Sequence, residues 1–172
     1  MPPAPVRILG VDTSLRSTGI AVIESDGVRN RAIQYGTLRN PPKRTAPECL
    51  RHLYEGVMAF VRETKPACCA IEGIFYCRNV RTAVILGQAR GAVLAAVASA
   101  GLEVHEYSPR SVKLGVTGFG GAVKDQVGLM VKRLLNLSEV PQEDAADALA
   151  IAICHAHSMR MTALTRGKSP PG

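Results

Sequence analysis

Val6-Arg7-Ile8-Leu9-Gly10-Val11-Asp12 is a short apolar run, rich in branched side chains, that ends on a carboxylate, and its reading decides the fold. Such a run reads as a strand, and an acid at the end of a buried strand is costly unless something cationic meets it. Two further strand-like runs follow, Gly19 to Glu24 and Arg29 to Thr37, separated by Ser25-Asp26-Gly27. Asp-Gly signals a hairpin, because glycine accepts the positive φ that the turn demands. Beyond the loop Asn40-Pro41-Pro42-Lys43-Arg44, Thr45-x-x-Glu48 has the form of a capping box. Leu50, Leu53, Tyr54, Val57, Met58 and Val61 then recur at helical spacing.

Lys65-Pro66 stops that helix, and Ala67 to Ile71 is an apolar strand ending at Glu72. Val80 to Ala100 is a mostly apolar helix with Gly101 as its C-cap, and Glu103 to Tyr107 is another strand. Pro109 to Leu114 reads as a short helical turn and Gly115 to Gly121 as a Gly-rich loop. Val127, Met130, Val131, Leu134 and Leu135 mark the next helix, and Glu143 to His157 the last. Hairpin strands first, then alternating strand and helix, predict an α/β fold with a mixed sheet covered by helices. Residues 1–157 form one domain in this reading, and residues 158–172 a basic flexible tail.

Composition agrees. The chain has 172 residues, 47% hydrophobic and 20% charged, so it is globular rather than disordered. With 4% aromatics and no Trp, the core must be mostly Ala, Val, Leu and Ile. A formal charge of +7 favours a polyanionic partner without specifying any chemistry. The five cysteines are an odd count without a CxxC pair, which argues against a disulfide framework and for a reducing cytosol. The Pro-rich amino terminus lacks the apolar stretch of a signal peptide. Thr82 to Gly101 approaches membrane-span length, but Gln88 and Arg90 at its middle make it a buried helix of a soluble protein, with no membrane partner.

The acids fall in a pattern. Asp12 and Glu72 each close an apolar strand, and neighbouring strands would bring both carboxylates to one cation. Asp144 and Asp147 are three apart at a helix start, hence on one face. The four would make an oxygen-rich cluster suited to Mg²⁺ or Mn²⁺. Each also has a plainer reading. Asp144 suits a helix dipole, Asp147 an exposed first turn, and Asp12 before Thr13-Ser14 an Asx turn. Glu72 is the hardest to explain away, because Cys68 to Ile74 is otherwise uncharged.

With those residues in view, the sequence resembles the RuvC-type Holliday-junction resolvases, of the RNase H-like (retroviral-integrase-like) fold. The likeness runs from Ile8 to about His157. It rests on Gly10-Val11-Asp12 with Thr18-Gly19, on Ala70-Ile71-Glu72-Gly73-Ile74-Phe75, and on Leu86-Gly87-Gln88-Ala89-Arg90-Gly91. It continues through Val112-Lys113, Gly118-Phe119-Gly120-Gly121-Ala122-Val123-Lys124 and Asp144-Ala145-Ala146-Asp147-Ala148-Leu149-Ala150-Ile151-Ala152. The resemblance implies a five-stranded mixed sheet flanked by helices, and a homodimeric, Mg²⁺-dependent endonuclease that resolves four-way DNA junctions by two symmetric nicks. Two Mg²⁺ per site are expected, with Mn²⁺ as a substitute, together with branch-migration partners and a cytoplasmic location. Carried over, Asp12, Glu72, Asp144 and Asp147 are the metal-binding catalytic acids. Lys113 and Lys124 match basic residues near the scissile phosphate, and Phe75 matches an aromatic that meets unpaired bases at the crossover. The family usually has Asp-Pro-Gly after the first strand; here Asp12-Thr13-Ser14 changes the turn that aims the carboxylate.

Arg78, Arg81 and Arg110 are expected to follow backbone phosphates. Phe75-Tyr76 suits either core packing or stacking on an exposed base. Gly87, Gly91, Ala92, Ala95, Ala96 and Ala98 make one helix face a candidate dimer contact, or else a face packed on its own sheet. Cys154-x-x-His157 has zinc-like spacing without a second ligand pair. The Asp12 to Gly19 stretch is also similar to the first phosphate loop of actin-like ATPases, which need two domains. Two rivals remain: an RNase H-like nuclease acting on RNA or another branched DNA, and a non-catalytic junction binder.

Overall fold

The chain first folds back on itself between Asp12 and Ser17, and again at the Asp26-Gly27 turn. In this computed structural model, which describes residues 4–73 and 79–166, Val6–Asp12 (β1) pairs antiparallel with Ser17–Ser25 (β2). β2 pairs antiparallel in turn with Asn30–Arg39 (β3). The Asp26 carboxylate closes the hairpin by accepting from the N–H groups of Val28 and Arg29. Ala46–Thr64 (α1) starts where Glu48 accepts from the Thr45 N–H at 2.8 Å, as the capping-box spacing requires. Cys68–Glu72 (β4) returns parallel to β1. After Val80–Ser99 (α2), Glu103–Tyr107 (β5) lies parallel to β4. The five strands stand in the order β3-β2-β1-β4-β5, a mixed sheet as expected.

Side-chain alternation splits the core into two layers. Ile8, Ala21, Ile23, Cys68 and Ala70 face Pro109–Thr117 (α3), Lys124–Leu134 (α4) and Glu143–Arg166 (α5). Leu9, Val11, Val22, Cys69 and Ile71 face α1 and α2. By the same alternation Gly10, Asp12 and Glu72 belong to the α5 side.

α5 crosses β1 and β2 at very close range, and two glycines permit it. A Cβ at Gly10 would lie 2.1 Å from the Ala148 carbonyl oxygen, and one at Gly19 would lie 1.9 Å from that of Asp144. Ala145, Ala146, Ala148 and Ala152 keep the helix side of the contact equally thin. The first turn of α5 is thereby pressed against the end of β1.

Three expectations are corrected. α3 continues through Gly115 to Thr117, because Val112 and Val116 share one buried stripe; the Gly-rich loop is correspondingly shorter. α5 does not stop at His157 but continues to Arg166, since neither Gly nor Pro interrupts it before Gly167. α2 is long and apolar enough to cross a membrane by composition, yet it lies along the sheet with one face only buried. Ala96 belongs to the protein's own core and Ala92 packs beside it, whereas Gly87, Gly91, Ala95 and Ala98 are exposed. Cys49, Cys68, Cys69 and Cys154 are buried free thiols, and Cys77 lies outside the described residues.

Candidate active site

Parallel register sets the two strand-end acids side by side. Val11 is level with Ile71, so Asp12 and Glu72 leave the sheet as neighbours on one face. α5 delivers Asp147 to the same place, because its close passage over Gly10 and Gly19 fixes the helix to the strand ends. Asp12, Glu72 and Asp147 line a cavity of about 310 Å³ together with Lys113 and Lys124. Pro109, Val112, Val127, Ala150 and Ile151 form its apolar walls.

Asp144 stands at the rim. Its carboxylate accepts from the Ser17 hydroxyl and, at 3.2 Å, from the Gln142 amide. Gln142 is held in turn by the Thr37 hydroxyl at 2.8 Å. Asp144 is thus aimed by β2 and β3, and it does not line the cavity.

Electrostatics record the crowding. Burial, then the charges of Asp147, Glu72 and Asp144, push the Asp12 carboxyl up to about 7. Burial and the Asp147 charge raise Glu72, and burial raises Asp147. Lys124 works against all three rises, and its ammonium pairs with Glu143 and, at 3.5 Å, with Asp147. Its hydrogen bond to Glu143 holds it protonated well above the usual lysine range. Among the described residues no three His, Cys, Asp or Glu side chains stand at metal-ligating distance from one point. The donors are all oxygen, half-buried and anionic in excess of the nearby lysines, which fits a hard divalent cation such as Mg²⁺.

The altered turn after Asp12 has its own fastening. Thr18, fully buried, donates its hydroxyl to the Ser14 carbonyl and accepts from the Ser14 N–H at 3.1 Å. Thr13 contributes a buried hydroxyl that has no partner among the described residues.

Of the other anticipated contacts, Arg81 is exposed at the start of α2, where Asn79 caps its N–H. Arg110 is exposed on α3, its stem against Gly120. Phe75, Tyr76 and Arg78 lie outside the described residues. Cys154 and His157 bind separate backbone oxygens, those of Ser111 and Gly115. Ser17, Gln142 and Glu143 were not anticipated, and Arg90 was noted as a cost to a membrane span and within a block shared with the family, with no role assigned to it. Polar side chains in loops and first turns carry no periodic signal; a single arginine within an apolar helix does.

A sequence model of the family described as "Crossover junction endodeoxyribonuclease RuvC" matches residues 8–155. A protein so named from Bordetella parapertussis is 46% identical over 152 residues, covering 88% of this chain and 84% of its own. One from Syntrophomonas wolfei is 44% identical over 158 residues, covering 91% and 92%. The structure "T. thermophilus RuvC in complex with Holliday junction substrate" superposes with a TM-score of 0.87 at 33% identity, over 91% of this chain and 96% of that one.

Proposed function

The chain belongs to the RuvC family of crossover junction endodeoxyribonucleases, and from that premise we propose that it resolves four-way (Holliday) DNA junctions by paired symmetric nicks. It is a nuclease of the RNase H-like fold, hydrolysing phosphodiester bonds. One observation carries the reading to this chain's own residues: three strand- and helix-end acids share a cavity with two lysines. A binder of phosphates has no use for buried negative charge, whereas a metal-dependent hydrolase requires it, which disfavours the non-catalytic alternative.

Asp12, Glu72 and Asp147 would hold the divalent ions, Mg²⁺ or in its place Mn²⁺, with Asp144 joining once its carboxylate turns from Ser17. When bound, such ions would supply Lewis acidity toward the attacking and leaving oxygens. Asp12, the acid whose charge its neighbours oppose most, would be the central ligand. Lys124 is held beside Asp147 by its ion pairs, and Lys113 lines the same cavity with its charge acting on Glu72; both offer positive charge to the scissile phosphate. The apolar walls thin the water around them and strengthen each of these interactions. Arg81 and Arg110, both exposed, extend the positive surface along the DNA arms. Arg78 is assigned the same backbone role, and Phe75 and Tyr76 stacking on bases freed at the crossover.

Two equivalent strands must be cut, so the working unit is a homodimer. The exposed face of α2, with Val80, Val84, Gly87 and Gly91, is the surface assigned to it. Branch-migration proteins of the same pathway are the further partners, and the cytoplasm is the location. A labelled synthetic four-way junction with Mg²⁺, run beside linear and Y-shaped duplexes, tests the proposal. Paired nicks at symmetry-related positions on the junction alone support it. Equal cutting of the controls, or unchanged cutting by Asp12→Asn, refutes it.

A further inference from the structure

Arg90 lies in the middle of α2, a mostly apolar helix, and only 9% of it is exposed. A buried guanidinium needs partners on both sides, and this one has them. Its Nη1 donates to the Glu72 main-chain carbonyl at 2.6 Å, and its Nη2 pairs with the Glu106 carboxylate at 2.5 Å. Glu106 is on β5, level with Ile71 in the parallel ladder. Ile71 belongs to the core layer beneath α1 and α2. Arg90 therefore grips the end of β4 from the sheet face opposite the cavity into which the Glu72 side chain projects.

We infer that Arg90 is a positioning residue for Glu72: it fixes the backbone from which that carboxylate reaches a divalent ion. The inference rests on the metal-site reading above. β4 ends at Glu72, and among the described residues the ladder continues past it through the Gly73 N–H, which donates to the Tyr107 carbonyl at 2.9 Å. A strand end whose carboxylate shares a cavity with Asp12 and Asp147 needs an anchor on its other side. The bidentate fork of arginine supplies one that ties β4, β5 and α2 at a single point. Lysine can replace the charge but not the rigid planar fork that carries a separate nitrogen to each acceptor.

The test is Mn²⁺ binding by the full chain, followed by calorimetry without DNA, in the wild type, Arg90→Met, Arg90→Lys and Asp12→Asn. Loss of a group that orients a metal ligand typically weakens metal binding about 10–100-fold. Arg90→Met is expected to fall in that range and Arg90→Lys between it and the wild type, while metal-free junction binding stays unchanged. The metal concentration for half-maximal cutting should rise in parallel, with turnover recovered at saturating metal. If Arg90→Met does not fold, Arg90→Lys alone decides: Mn²⁺ affinity equal to the wild type overturns the inference. Wild-type binding that ignores Asp12→Asn overturns the metal-site reading itself, and this inference with it. Normal wild-type binding with unaltered Arg90 variants overturns the inference alone.

Discussion

Asp12 illustrates how a single residue can be arranged at the fold's expense. Its carboxyl is pushed up to about 7 because burial and three neighbouring acids oppose its charge. Asp12→Asn should therefore abolish cutting while raising the stability of the metal-free protein at neutral pH by about 1 kcal/mol or more, or ~2–4 °C in Tm. Thermal melts with and without Mg²⁺ check both halves, since the wild type alone should gain from the ion. Next to it, Thr13 buries a hydroxyl with no partner among the described residues. Thr13→Val keeps the shape and removes the orphan, so it should stabilise by about 1 kcal/mol, read as a shift in denaturant midpoint. His155 is a third case. Burial, and then the charge of His105 stacked 4.2 Å away, hold it down at about 4 while Tyr107 meets its Nδ1 at 2.6 Å. The unfolded chain takes up a proton below about 6.5 that the folded protein refuses until about 4. Stability present above pH 6.5 is thus lost as pH falls through that window, at up to ~1.4 kcal/mol per pH unit. His155→Leu should flatten that limb of an acid-unfolding curve; an unchanged limb would show that another group drives it.

Among the elements, α5 carries the consequence of small residues. Gly10 and Gly19 let it lie against the strands, and the contact places Asp147 in the cavity. Gly19→Ala must drive a methyl into the Asp144 carbonyl, so it should cost ~3 kcal/mol or more and loosen metal binding with it. A denaturant titration beside a Mn²⁺ titration measures the pair of effects. The strand ends were legible in the sequence: two apolar runs each closed by an acid, and parallel neighbours bring the acids together. The helix boundaries were less so. Gly115 suggested a loop, but the buried stripe of Val112 and Val116 prevails over one glycine. The rim position of Asp144 was not legible at all, because it depends on Ser17 and Gln142, which meet only after the sheet has formed. The same holds for Arg90, whose partners come from two different strands.

At the scale of the whole molecule, charge and symmetry decide the behaviour. A formal +7, with Arg81, Arg110 and Lys113 outside any ion pair among the described residues, predicts junction affinity that falls steeply with salt. The slope of log affinity against log salt, measured by gel shift, should flatten by roughly one for each arginine removed. The strand order β3-β2-β1-β4-β5 has a consequence in time as well as in space. During synthesis the antiparallel meander of the first three strands can assemble early, from local contacts. Asp12 is then in place but alone. Glu72 arrives one crossover later, and Asp147 only when nearly all of the chain has emerged. On the proposed assignment of these acids, a nascent fragment without Asp147 should be unable to nick DNA: the nuclease would be armed last, after the parts that recognise nothing but one another have finished folding.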